Sequence, residues 1–154
     1  MSSFDRRSLI LALAALPACG FAPVYGPASN IRGNVLVGSP SSANAFILVR
    51  ELELRLGEPS EPGYTLAVDV DLDEVGSVIN RSSEVERFTI AGRARFTLAT
   101  IEGVAVTQGE TRSSTSYSAS DTPISTRAAR EDAQERLMII LADQILARIS
   151  STAV

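Results

Sequence analysis

Three groups of side chains in this 154-residue sequence could do chemistry: one thiol, a set of guanidinium groups and a short acidic run. The thiol is Cys19, the single cysteine, so no internal disulfide and no CxxC redox pair can form. All 14 cationic side chains are arginine. That bias either follows genome composition or serves bidentate anion contacts that lysine cannot make. Histidine is absent, which excludes imidazole bases, histidine-containing metal sites and a Ser-His-Asp arrangement within this chain. An enzyme built on paired carboxylates, Ser, Tyr or Arg stays open, but the composition argues against it. A net charge of −4 provides no field that would attract nucleic acid, so no nucleic-acid partner is expected. No glycine-rich phosphate-cradling motif occurs.

The acidic run is Asp69, Asp71, Asp73 and Glu74. Its spacing puts the three aspartates on one strand face, neighbours about 6.8 Å apart. The glycine turn and distal glutamate of a calcium loop are missing, and no metal site or other cofactor is expected. The guanidinium groups of interest are Arg87, Arg93, Arg95 and Arg112, which also fall in segments of alternating polarity. A hairpin centred near residues 80–82 sets Asp69 and Asp71 opposite or diagonal to Arg93 and Arg95. Two readings are then open. The arginines are spent on cross-strand ion pairs, or they line a polar face that meets a ligand's phosphates or carboxylates.

The elements that must position these groups follow from periodicity. Asn34 to Val37 is a short strand between two glycines. From about Ala43 to Leu56 the apolar residues Ala45, Leu48, Val49, Leu52 and Leu56 recur at helical spacing, and Gly57 with Pro59 ends the helix. Tyr64, Leu66, Val68, Val70 and Leu72 alternate with polar residues, as do Phe88, Ile90, Gly92, Ala94, Phe96 and Leu98. Each run predicts a long strand with one apolar face, joined through Gly76–Ser83. A third strand, Val104 to Tyr117, is polar on both faces. It is either an edge strand solvated on both sides or a strand set against a polar partner. The last helix is predicted from Ser125 or Thr126 to Ile149. Ala133, Leu137, Ile140, Leu141, Gln144 and Ile145 form its stripe, Ile139, Ala142, Leu146 and Ile149 widen it, and its charged first half projects past the sheet. The order β-α-β-β-β-α predicts an α+β two-layer sandwich, with two helices on one face of a mostly antiparallel four-stranded sheet.

Ahead of this domain (residues 31–154) stand an address and a leash. Arg6 and Arg7 precede an unbroken run from Leu9 to Leu16. A helix of that length covers about 12 Å, too short for a hydrocarbon core about 30 Å thick, but it suits a secretory signal. Leu16-Pro17-Ala18-Cys19 resembles the bacterial lipobox, which implies cleavage after residue 18 and covalent diacylglycerol and N-acyl lipid on Cys19. Several acyl chains hold a protein stably on a membrane, each buried methylene contributing about 0.8 kcal/mol. Gly20 after the cysteine implies sorting to the outer membrane. Residues 19–30, broken by Gly20, Pro23, Gly26 and Pro27, read as an extended tether whose Phe21, Val24 and Tyr25 contact this domain or a partner.

Cys19-Gly20-Phe21-Ala22-Pro23-Val24-Tyr25-Gly26 resembles the mature start of the alphaproteobacterial branch of the LptE family. The segment Leu141-Ala142-Asp143-Gln144-Ile145-Leu146-Ala147-Arg148-Ile149 resembles that family's closing helix, and the order of elements matches its fold. The resemblance implies a non-enzymatic lipoprotein on the periplasmic side of the outer membrane. It implies two partners, the β-barrel LptD, which such proteins plug and help to assemble, and lipopolysaccharide on its way to the outer leaflet. The competing expectation is another outer-membrane accessory lipoprotein, serving general barrel assembly or phospholipid traffic.

Overall fold

A computed structural model describes residues 31–79, 85–120 and 122–152. The signal and tether, with Cys19, lie outside the described residues. Six elements follow in order: β1 (Val35–Val37), α1 (Ala43–Leu56), β2 (Tyr64–Ile79), β3 (Val85–Thr100), β4 (Ala105–Ser118) and α2 (Pro123–Thr152). The sheet has the strand order β1-β2-β3-β4. β2 with β3, and β3 with β4, are antiparallel, while β1 runs parallel to β2. The sheet is therefore mixed, because a parallel neighbour needs a crossover and α1 supplies one.

α1 begins where the Ser42 side chain accepts the Ala45 N–H at 3.1 Å, and it ends at Gly57 (φ 77°), whose N–H donates to the Glu53 carbonyl. Its predicted stripe is the set that is buried: Ala45, Leu48, Val49, Leu52 and Leu56. β1 is held at its start by Asn34. The Asn34 side-chain oxygen accepts the Gly63 N–H at 2.6 Å, and its carbonyl accepts from both Gly63 and Tyr64. Just ahead of it Ile31 is buried, and the Gly33 N–H donates to the Leu56 carbonyl at 2.7 Å.

The hairpin has the expected register, Asp69 opposite Arg95 and Asp71 opposite Arg93. Its strands run further than their alternation suggests, since pairing continues to Ile79 opposite Val85. Gly76 is therefore inside β2 rather than in the connection, and register shifts between Gly76 and Ile79 absorb the break in pattern.

Inward-facing Leu66, Ile90, Ala94 and Leu98 meet Leu48 and Leu52 of α1 and Leu137, Leu141, Ile145 and Ile149 of α2. Each fully buried leucine or isoleucine contributes about 1.5–3 kcal/mol by transfer from water. α2 differs from its predicted form in three ways. It starts earlier, with Pro123 in the first turn, where a missing N–H costs nothing. Its buried arc takes in Met138 and leaves Ile140 partly exposed, because α2 also leans on α1, with Arg50–Glu135 and Arg55–Asp143 ion pairs between the helices. Its first half is not free of the sheet. Ala133 is fully buried and Ala129 packs against the core.

β4 is the edge strand, yet only one of its faces is solvated. Thr111 and Tyr117 are buried, and the Thr115 hydroxyl donates to the Ala133 carbonyl at 2.9 Å. The run of small hydroxyl residues lets the helix come down close. Close approach also explains two glycines: a Cβ on Gly92 would lie 3.0 Å from Leu137 Cδ2, and one on Gly109 would lie 3.0 Å from Phe96 Cζ. Among the described residues, no helix is long and apolar enough to cross a membrane.

Candidate functional site

Opposite the helices, β2, β3 and β4 present a bare face with a ladder of charges. Strand alternation brings three of the four predicted arginines together there. Arg95 donates to Asp69 at 2.9 Å and to Asp71 at 2.8 Å. Asp69 also accepts from the Ser41 hydroxyl at 3.2 Å. These contacts, the Arg95 bond first, hold the Asp69 carboxyl below its ordinary value and raise Arg95 above its own. Arg93 and Arg112 stand directly opposite one another and share a single carboxylate, Glu110, at 3.6 and 2.5 Å. Arg87, opposite Ser118 near the far end of the hairpin, is also engaged.

Of the two readings of these arginines, the described residues favour internal pairing, but by diagonal as well as direct partners. Asp71 faces Arg93 in register and binds Arg95 instead, which leaves Arg93 to Glu110. Guanidinium side chains are long enough to reach the diagonal neighbour. Half-exposed pairs of this kind contribute little to stability, so they set the face's character more than its strength. The ligand-facing reading finds its best geometry beside the Arg93–Arg112 pair. There Asp73, Ala91, Gly92, Arg93, Arg112, Ser113 and Ser114 line a shallow depression of about 330 Å³. The guanidiniums of Arg93 and Arg112 and the carboxylate of Asp73 all stand on its rim, so a ligand entering it meets groups of both signs.

The acidic run does not converge. Asp69 and Asp71 turn to Arg95, whereas Glu74 faces the other side of the sheet, and among the described residues no group of three potential ligands is placed to hold a metal.

Glu74 belongs to a constellation that sequence pattern does not reveal. It accepts the Tyr117 hydroxyl at 2.5 Å and the Arg130 guanidinium at 2.7 Å, joining β2, β4 and the first half of α2. Phe88 stacks on the Tyr117 ring, with centroids 5.2 Å apart. Burial, and then the bond to Glu74, push the Tyr117 hydroxyl up to about 12. The only hint in the sequence is that Glu74 breaks the alternation begun at Tyr64, a polar residue where an apolar one was due. Beside this network Ser120, Pro123, Thr126, Arg127 and Arg130 line an open depression of about 450 Å³.

Comparison with known proteins places this architecture. Among solved structures it is similar to a candidate lipoprotein from Caulobacter crescentus CB15, at 20% identity and TM-score 0.69, over 82% of this chain and 95% of that one. It is also similar to rare lipoprotein B from Shewanella oneidensis (14% identity, TM-score 0.59, 77% of this chain and 93% of that one). A third likeness is to an uncharacterized lipoprotein B from Nitrosomonas europaea (15%, TM-score 0.58, 77% and 82%). At these identities the likeness is one of fold. No curated protein gives a significant sequence match. The family model described as "LptE: Lipopolysaccharide-assembly" matches residues 34–149, from the Asn34 clamp to the last buried turn of α2. The β-α-β-β-β-α chain therefore belongs to the LptE family of lipopolysaccharide assembly.

Proposed function

We propose that this protein is a non-enzymatic lipoprotein, held at the periplasmic side of the outer membrane by lipid on Cys19. In this reading it partners and plugs the barrel LptD, assists that barrel's assembly and helps lipopolysaccharide reach the outer leaflet. The observation that carries the reading is the family match across the whole domain, from residue 34 to residue 149. The bare face of the sheet supports it. A barrel lumen is polar and wet, and a surface of balanced ion pairs and hydroxyls can sit against it without burying unpaired charge.

The test is capture of the tagged full chain from detergent-solubilised outer membrane after crosslinking in cells. A stoichiometric large barrel that serves lipopolysaccharide export is the expected product. Capture of the general barrel-assembly machinery alone, or of nothing, overturns the partnership. Cys19→Ser tests the anchor separately: the protein is expected to leave the membrane fraction, and unchanged fractionation refutes lipid attachment.

A further inference from the structure

One end of the sheet is apolar and uncovered. The turn between β3 and β4 exposes Ile101 (60%) and Val104 (64%), and Leu36 of β1 and Val106 of β4 are exposed as well. By strand alternation the bare face presents Leu36, Ala67, Ala99 and Val106 at this end, and its charges begin only beyond them, at Asp69 and Arg95. The strip thus crosses all four strands without a charged side chain. Single exposed apolar residues are ordinary, but a contiguous patch calls for an occupant.

The chain's own start is within reach of it. The Asn34 carbonyl accepts the Gly63 N–H, and the Gly63 carbonyl accepts the Ile101 N–H at 3.2 Å. The entry to β1 and the turn therefore stand two strand spacings apart, about 10 Å. Tyr25 precedes buried Ile31 by six residues, and six extended residues reach about 20 Å. In an extended run Phe21, Pro23 and Tyr25 share one side and set two aromatic rings about 14 Å apart, the width of a four-strand strip. Pro23 restricts the segment before any contact forms, and attachment to the domain keeps it at high effective concentration. A lipid layer suits the patch less well. Glu102 stands at the apex of the turn, and the Thr100 hydroxyl holds its carboxyl below the ordinary value, so lipid covering the patch has to take up a charge.

We propose that the segment Phe21–Tyr25 folds back over this end of the sheet, its aromatic rings resting on Ile101, Val104 and Leu36. The contact lies within one chain and holds whether or not a barrel is the partner. The test uses the full chain reconstituted into phosphatidylethanolamine–phosphatidylglycerol vesicles. The sequence has no tryptophan, so Ile101→Trp makes the patch its own reporter. Its emission is expected at short wavelength, unquenched by brominated acyl chains in the vesicles. Adding Phe21→Ser and Tyr25→Ser is expected to shift it to longer wavelength. A second measurement uses cysteines in the otherwise unaltered chain. Tyr25→Cys with Val104→Cys is expected to close a disulfide within one chain about tenfold faster than Tyr25→Cys with Ser116→Cys, far along β4. Long-wavelength emission before the serines are introduced, emission unmoved by them, or equal closure of both cysteine pairs overturns the proposal. Quenching by brominated lipid also overturns it, by placing the patch in the membrane, and so does a disulfide to a second copy or to a larger protein.

Discussion

On the helix-covered side of the sheet, Leu66, Ile90, Ala94 and Leu98 are sealed beneath α1 and α2. From β2, β3 and β4, Asp69, Asp71, Arg93, Arg95 and Arg112 reach solvent on the other side. The covered face is governed by volume. Gly92, Gly109 and Thr111 are small because a helix or a phenylalanine ring occupies the space that a larger side chain needs. The bare face is governed by sign, since positive and negative groups alternate there and no contact depends on a particular shape. A substitution should therefore be costly on one face and nearly silent for folding on the other.

The largest expected effect is on the covered face. Leu141→Ala removes a fully buried side chain between α2 and the sheet, with an expected loss of about 2–5 kcal/mol in urea unfolding. Gly92→Val tests volume from the opposite direction. Its methyl groups collide with Leu137, Leu141 and Leu72, for an expected loss of about 1–3 kcal/mol by the same measurement. Tyr117→Phe keeps the stacked ring but deletes the bond to Glu74, and about 1 kcal/mol is expected to go. The wild-type hydroxyl should titrate near 12 by tyrosinate absorbance, and lower than that in Glu74→Gln, though still above its ordinary value because burial is the larger cause. The folded form keeps this proton where the unfolded chain gives it up. The stabilisation is thus complete below pH 10 and disappears as pH rises towards 12.

The smallest effect on folding is expected from the bare face. Reversing Arg93 and Arg95 together should weaken binding to lipopolysaccharide-containing vesicles more than it lowers the thermal midpoint, which falls a little because new carboxylates meet Asp69, Asp71 and Glu110. A drop in midpoint with binding intact would mean that these arginines serve the fold alone. Asp69 is the titrating counterpart. Its folded carboxyl is depressed, so its contribution is present above the ordinary value of 3.8 and fades as pH falls below it. A stability profile between pH 5 and pH 3, flattened by Asp69→Asn, checks this.

The contrast also explains which parts of the fold can be read from residues alone. α1 is legible because one stripe packs against one layer, and so is the β2–β3 register, because its alternation is long. α2 is only partly legible: it packs on the sheet and on α1 at once, which widens its buried arc past a simple stripe to Met138 and turns Ile140 outward. The polarity of β4 misleads, since small hydroxyl residues suit close helix packing as well as they suit water. Parallel pairing of β1 leaves no local mark, because direction is set by the length of the crossover. On the bare face the participants can be named, but not which aspartate each arginine takes, because side-chain reach decides between neighbours. Glu74, Tyr117 and Arg130 come from three distant elements, and nothing periodic connects them.

Asn34 has a consequence of a mechanical kind. If the chain hangs from lipid on Cys19, any pull between membrane and domain arrives at β1, the shortest strand. A pull directed along the strand axis would load β1 in shear, so that its bonds to β2 resist together rather than opening one by one. Among the described residues, buried Ile31 and the Gly33–Leu56 bond feel it first, and Asn34's bonds to Gly63 and Tyr64 stand directly behind them. The N-terminal end of the domain thus has a fastening point at the place where a tether would tug.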